Sequence, residues 1–278
     1  MRRDEHGRGP LGGQGGLGGV AVQDSLGLGQ GHAGRVEIGV LGMDVKTATD
    51  VGRVRENNED ALWVGGRCLV VCDGMGGHVA GEVAAGLAVE VISSFPFGAG
   101  EPEQEILEAI AQAQARILEE SGRNKHFQGM GSTITLAWIS EPSEQGERKL
   151  IVGHVGDSRC YLYADGVLEQ LTSDHSVVGE LLRSGTITPL EARTHPKRHI
   201  LTQVLGSAEI EPELITRKLQ PGSLVILCTD GLTDVVDDDL LQQALQQDFH
   251  SSNLAQKLVD LANDRGGPDN ITVITAKV

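Results

Sequence analysis

The chain is poor in aromatic residues, in basic charge, in cysteine pairs and in long apolar runs, and each shortage narrows what it can be. Aromatics are 3% of its 278 residues, so the 39% that are apolar must build a core from Val, Leu, Ile and Ala. A chain of this length can bury a full core as one large domain or two small ones. Lys and Arg number 23 against 39 Asp and Glu, a formal charge of −16. No basic stripe is present to displace counterions from phosphates, which argues against nucleic acid; the same excess disfavours an anionic membrane surface. The four cysteines, Cys68, Cys72, Cys160 and Cys228, form no C-x-x-C pair. They sit in or beside apolar strand-like runs and are expected to be buried, reduced thiols. No stretch approaches the roughly 18–20 apolar residues that span a bilayer. The start Met1-Arg2-Arg3-Asp4-Glu5-His6 lacks the apolar region of a secretion signal. These absences point to a soluble cytoplasmic protein.

What is present divides at Met43. Residues 1–43 hold 14 of the 38 glycines, with few large apolar side chains and no helical or strand period. Such a segment cannot offset its backbone entropy by burial and is expected to be disordered. A second reading places the true start at Met43. From Asp44 onward the pattern is regular. Apolar runs predict strands at 45–50, 61–64 and 67–72. Val79, Val83, Leu87 and Val91 recur every four residues and predict a helix over 79–94, and Ile106, Ile110, Ala113 and Ile117 predict another over 102–121, closed by Ser121-Gly122. Strands follow at 132–139, 149–155, 159–163 and 167–171, with Asp165-Gly166 as a turn. Residues 174–207 form a distinct insert. It holds a short helix at 176–184, for which Asp174 is a candidate cap, and a capping box of Thr188, Pro189 and Glu191. Strands at 213–218 and 223–228, helices near 237–247 and 252–264, with Asp237 as a cap, and a strand at 271–277 complete the chain. Strands in hairpin-like runs and helices in separate pairs point to antiparallel sheets covered by helices.

Two apolar runs end on an aspartate followed at once by glycine: Leu69-Val70-Val71-Cys72 into Asp73-Gly74, and Leu224 to Thr229 into Asp230-Gly231. A buried strand that stops on a carboxylate delivers an anionic oxygen to a fixed point at a sheet edge. Glycine there permits close backbone approach, so that a carbonyl can join the carboxylate as a ligand. Two such ends suit a hard cation held by oxygens rather than by His and Cys. Three further acidic motifs lie at loops beside strands: Arg55-Glu56-Asn57-Asn58-Glu59-Asp60, Gly156-Asp157-Ser158-Arg159 and Gly267-Pro268-Asp269-Asn270.

These five motifs, with Asp73-Gly74-Met75-Gly76-Gly77-His78 among them, occur in an order that resembles the metal-dependent protein phosphatases, the type 2C serine/threonine phosphatases, and in particular their bacterial members. The resemblance runs from Asp44 to Val278. It implies an α/β domain of four layers, α-β-β-α, in which two antiparallel sheets pack face to face between helix pairs, with 174–207 as a flap. It implies two Mg²⁺ or Mn²⁺ ions, bridged by Asp73 with the Gly74 carbonyl as a further ligand. Asp230 and Asp269 complete the first-metal side, and Glu59 and Asp60 hold metal waters. Asp157, with Asp230, forms a third-metal site, and Arg55 grips the substrate phosphate. The implied activity is hydrolysis of phosphoserine and phosphothreonine in proteins, a serine/threonine kinase among them, by a monomer. The chemistry is consistent on its own terms. Two ions about 3.5–4 Å apart can share a water and lower its pKa towards neutrality, and the resulting hydroxide attacks phosphorus in line. An arginine fork suits two phosphate oxygens.

The chain departs from the family pattern at Met75, where many eukaryotic members carry a histidine proposed as the general acid. Either water on the metals protonates the leaving alcohol or a histidine elsewhere does, with His78 and His175 as candidates. His154 is read as a satisfied histidine beside the sheet. In the insert, Arg193, His195, Lys197, Arg198 and His199 form a basic patch suited to acidic phosphorylated segments. Two alternatives stay open: a silent binding module of the same fold, which should have lost a metal acid or Arg55, and a hydrolase of small phosphate esters.

Overall fold

Alternation along the strands sets the layers. In β3 (Asp60–Gly65) and β4 (Cys68–Met75), Ala61, Trp63, Cys68, Val70 and Cys72 pack into one apolar cluster, while Leu62, Val64, Leu69 and Val71 pack into another. Both strands are therefore covered on both faces, which is why they are apolar almost throughout. The computed structural model describes residues 20–22, 42–76 and 79–278. The first cluster is closed by α1 (Ala80–Ser94) and α2 (Pro102–Arg123), whose Ala84, Ala88, Ile106, Ile110, Ala113 and Ile117 are buried against the sheet.

That sheet runs β1 (Val20–Val22), β3, β4, β6 (Ile134–Ile139), β7 (Arg148–Val155), β10 (Glu213–Leu219), with the two-residue β5 (Gly131–Ser132) beside β4. A second sheet runs β2 (Asp44–Asp50), β12 (Ile271–Lys277), β11 (Leu224–Cys228), β8 (Arg159–Ala164), β9 (Val167–Gln170). Every pairing is antiparallel. The central apolar cluster joins the inner faces of the two sheets, with Leu62, Val71, Ala137 and Val152 from one meeting Val45, Val225, Leu227 and Ile274 from the other. On the outer face of the second sheet, Tyr161, Ile226 and Val273 pack under α6 (Asp238–Asp248) and α7 (Leu254–Asp264). The expected four-layer sandwich is the observed one. No helix among the described residues is long and apolar enough to cross a membrane, and the four cysteines are free and buried.

Four details differ from expectation. Val20–Val22, in the segment expected to be disordered, pairs with Leu62–Val64 as an edge strand. Val-Ala-Val carries β-branched side chains, and the outer edge of β3 offers unpaired backbone groups to it. The remainder of residues 1–41 lies outside the described residues. The strand expected at 132–139 is broken at Thr133. Helix α2 passes through Gly122 to Arg123, because its buried stripe outweighs one glycine. In the insert, α3 (Val177–Arg183) is capped by Ser176, whose side chain accepts from Gly179 N–H, and not by Asp174. The Thr188 capping box does form, opening α4 (Pro189–Thr194), and Asp237 caps α6 through Leu240 N–H.

Candidate active site

Strand parity carries the acids to one end of the sandwich. Asp60 and Asp73 continue the rows of Leu62 and Leu69–Val71 that face the second sheet, and they are direct register partners. Two carboxylates thus lie side by side where the inter-sheet core ends. Asp230 arrives from the opposite sheet, as the first residue of α5 (Asp230–Thr233) directly after β11. Asp269 precedes β12, and Asp157 lies in the link from β7 to β8, which crosses from one sheet to the other. The two glycines after the strand-end aspartates serve close approach. A Cβ at Gly74 would fall on the Gly81 and Glu59 carbonyl oxygens, and one at Gly231 on the Asn270 carbonyl oxygen. Gly231 therefore seats α5 against β12, a larger part than the turn alone.

Each acid is held by its neighbours. Asp60 Oδ2 accepts from Thr229 Oγ1 at 2.9 Å. Asp73 is pinned through its backbone: its N–H donates to Thr133 Oγ1 and its carbonyl accepts from Thr133 N–H, both at 2.9 Å. Thr133 Oγ1 also lies 2.7 Å from Ser158 Oγ, next to Asp157. Thr133, at the break between β5 and β6, thus links Asp73 to Ser158. Asn270 is buried and makes three contacts to the loop before β3. Its Oδ1 accepts from Glu59 N–H at 2.8 Å, and its Nδ2 donates to the carbonyls of Val51 and Asn57 at 3.0 and 2.8 Å. Arg55 on that loop donates to Asp269 Oδ2 at 2.7 Å with about half of its side chain exposed.

The electrostatics are those of crowded, desolvated carboxylates. Burial, helped by the nearby Asp269, pushes Asp60 up to about 7. Burial and the charges of Asp174 and Asp234 do the same to Asp157, also to about 7. Burial pushes both Asp73 and Asp230 well above the carboxylate range, helped by the charges of Asp60 and Asp230 at Asp73 and of Asp157 and Asp234 at Asp230. Asp60 Oδ1 and Asp230 Oδ1 are buried with no hydrogen-bond partner. Orphaned carboxylate oxygens and mutual repulsion are the costs that bound cations would remove, and the donors are all oxygen, the choice of hard divalent ions. The residues fit such ions.

Arg55, Glu59, Asp73, Gly74, Asp157, Asp230 and Asp269 line one open cleft of ≈ 1290 Å³, with Asp60 buried behind it. Met75 also lines it. His175 is not among the lining residues; it is buried, with Nδ1 accepting from Gly156 N–H at 3.3 Å. His78 lies outside the described residues. Among the described residues, the histidine on the cleft wall is His199, from the insert, whose Nδ1 is 3.9 Å from Asp234. Arg193 and Arg198 line the same wall, and Arg193 is tied to Asp237 at 2.8 Å. Asp234 was absent from the expected set, although Asp230 and Asp234 at i, i+4 would share a helix face. Asp174 serves the scaffold. It receives a two-pronged contact from the deeply set Arg159, at 2.9 and 2.7 Å, and so fastens the start of the insert to β8.

A row of buried and half-buried carboxylates flanked by arginine, at the edge of an α-β-β-α sandwich, is an arrangement suited to hard cations. The family model of protein phosphatase 2C matches residues 53–264, and the chain belongs to that family. It is 39% identical over 234 residues to the serine/threonine protein phosphatase PstP of Mycobacterium tuberculosis, covering 83% of this chain and 44% of that protein. The chain thus spans less than half the length of this relative. It is 34% identical over 241 residues to the protein phosphatase PhpP of Streptococcus pneumoniae, covering 83% of this chain and 96% of that one. The crystal structure of the Mycobacterium tuberculosis phosphatase superposes with a TM-score of 0.78 at 36% identity, over 85% of this chain and 98% of that one. A structure of the PstP catalytic domain in complex with two manganese ions gives 0.76 at 35% identity, over 84% and 97%.

Proposed function

We propose that this chain is a metal-dependent protein serine/threonine phosphatase of the cytoplasm. The observation that carries the reading is the convergence of Asp60, Asp73, Asp230 and Asp269 from both sheets, with partnerless buried oxygens on Asp60 and Asp230, beside Arg55. Asp73, the Gly74 carbonyl, Asp230 and Asp269 would hold two Mg²⁺ or Mn²⁺ ions, with Glu59 and Asp60 ordering their waters and Asp157 and Asp230 holding a third. Bound there, divalent cations supply Lewis acidity to the phosphoryl group and lower the pKa of a water they share. The chain's own residues place the substrate. Arg55 has five N–H donors and spends one on Asp269, so its fork remains able to grip two phosphate oxygens. Asn270 holds the Arg55 loop at a fixed distance from the carboxylates. An open cleft, rather than a closed pocket, suits a phosphorylated side chain presented on a polypeptide. Arg193 and Arg198 give one wall of it positive charge that suits acidic phosphorylated segments, and a serine/threonine kinase is among the expected substrates.

The test is phosphate release from a phosphothreonine peptide with and without Mn²⁺, repeated with Asp73→Asn. Release should need the metal and fall by at least about a hundredfold in the variant, which loses a charged cation ligand. Undiminished release by Asp73→Asn would overturn the assignment. Release confined to small esters such as p-nitrophenyl phosphate would overturn the protein substrate alone.

A further inference from the structure

The register places Thr135 of β6, His154 of β7 and Glu213 of β10 side by side in one row across the first sheet. The row continues Leu150 and Val152 of β7, which face the second sheet in the central core, so a histidine occupies an apolar position. His175, from the first turn of the insert, packs over it with ring centroids 4.9 Å apart. One ring nitrogen from each histidine and a Glu213 carboxylate oxygen lie within 4.8 Å of one another. None of the three lines the acidic cleft.

The hydrogen bonds around His154 leave it in the form of a metal ligand. Thr135 Oγ1 has one proton, and Ser158 O stands 3.1 Å away to accept it. Thr135 Oγ1 then accepts from His154 Nδ1, at 2.9 Å. With the proton on Nδ1, Nε2 carries a bare lone pair, and it is buried with no hydrogen-bond partner. Metal-binding histidines are prepared in this way, the second nitrogen fixed by a neighbour so that the first is free to ligate. Glu213 is oriented too. Its oxygens accept from Ser173 N–H at 2.9 Å and Ser173 Oγ at 3.1 Å, and each keeps a further lone pair. Glu213 is also the one half-exposed member, which gives an ion a way in and gives the set a ligand able to close up on it.

We infer that His154, His175 and Glu213 form a second metal site, distinct from the acidic cleft, which takes a borderline transition ion such as Zn²⁺. Two imidazoles and one carboxylate with a fourth position open to water suit a borderline ion such as Zn²⁺ and not Mg²⁺, which favours an all-oxygen shell. Ligation through His175 Nδ1 replaces its long contact with Gly156 N–H, 3.3 Å, so an ion there acts on the loop that carries Asp157.

The experiment uses the full chain in excess Mg²⁺, so that the cleft is saturated. Zn²⁺ is added, unbound metal is removed by gel filtration, and zinc is counted by elemental analysis and located by anomalous scattering in crystals. The proposal expects one zinc per chain, retained in Asp73→Asn and bound roughly tenfold or more weakly in Glu213→Gln. Zinc should raise the Tm of the wild type and leave that of Glu213→Gln unmoved, while without zinc the two melt alike. Failure to retain zinc, retention unchanged in Glu213→Gln, or loss of zinc in Asp73→Asn would each overturn it. The last result would place the ion in the acidic cleft. The readout is metal content rather than turnover, so the outcome stands apart from the phosphatase assignment.

Discussion

Arg55 shows how much at this site depends on a single side-chain geometry. Its guanidinium contacts Asp269 at 2.7 Å while half exposed, so it can share its planar fork between the protein and a phosphate. Lysine keeps the charge and loses the fork. Arg55→Lys is expected to lower kcat/KM by about 10- to 100-fold, the loss of one or two charge-assisted hydrogen bonds at roughly 1.4–2.8 kcal/mol. Steady-state kinetics on a phosphothreonine peptide check this, and a change under threefold would remove Arg55 from phosphate binding. Single residues were also where the sequence was most and least legible. The acids were readable because each sits at the end of an apolar run or in a short polar motif. Asp234 was not, since α5 is four residues long and too short to show a period. Thr133 was hidden inside an alternating run that looked like uninterrupted strand. The sequence alone reads His154 as satisfied, whereas the structure leaves its Nε2 without a partner.

Whole elements are placed by a few polar ties that cross between them. Asn270, at the mouth of β12, holds the loop 51–59 through three hydrogen bonds, and with it Arg55 and Glu59. Replacing it with alanine strands one backbone donor and two carbonyls in a largely buried place. Asn270→Ala is expected to cost roughly 2–4 kcal/mol of stability and to lower kcat/KM as the Arg55 loop loosens. Urea unfolding monitored by circular dichroism, with kinetics in parallel, gives both numbers; a cost below about 1 kcal/mol would show that water replaces these contacts. Helices and strands with a strong period were legible to within a residue or two: α1, α2, β7, β12 and the Thr188 capping box. Elements fixed by partners far away in sequence were not. β1 forms along the outer edge of β3, and β5 pairs with β4 next to the Asp73–Thr133 hydrogen bond. In Gly267-Pro268-Asp269-Asn270 the aspartate is the legible acid, whereas the asparagine joins β12 to the Arg55 loop.

At the scale of the molecule, the cleft is where the two sheets of the sandwich meet without apolar contact. Asp60 and Asp73 come from one sheet, Asp230 and Asp269 from the other, so cations held among them would tie the halves together across a line of repulsion. Folding without cations must accommodate the carboxylates by protonating some of them. Asp60 and Asp157 are pushed up to about 7, chiefly by burial, against an unfolded value of about 3.9. Between those two values the folded chain binds more protons than the unfolded one, so stability falls as pH rises through that window, and the loss is complete above about 7. In chelator, Tm is therefore expected to decline from about pH 5 to about pH 8, the reverse of the behaviour of ordinary ion-paired carboxylates. Mn²⁺ competes with protons for the same oxygens, so it should restore Tm strongly at the upper pH and little at the lower, with proton release on binding near neutrality. Differential scanning calorimetry across that range, with and without Mn²⁺, measures both effects. A chelated protein that gains stability with rising pH would mean that the carboxylates are already paired, and that the two sheets need no cation between them.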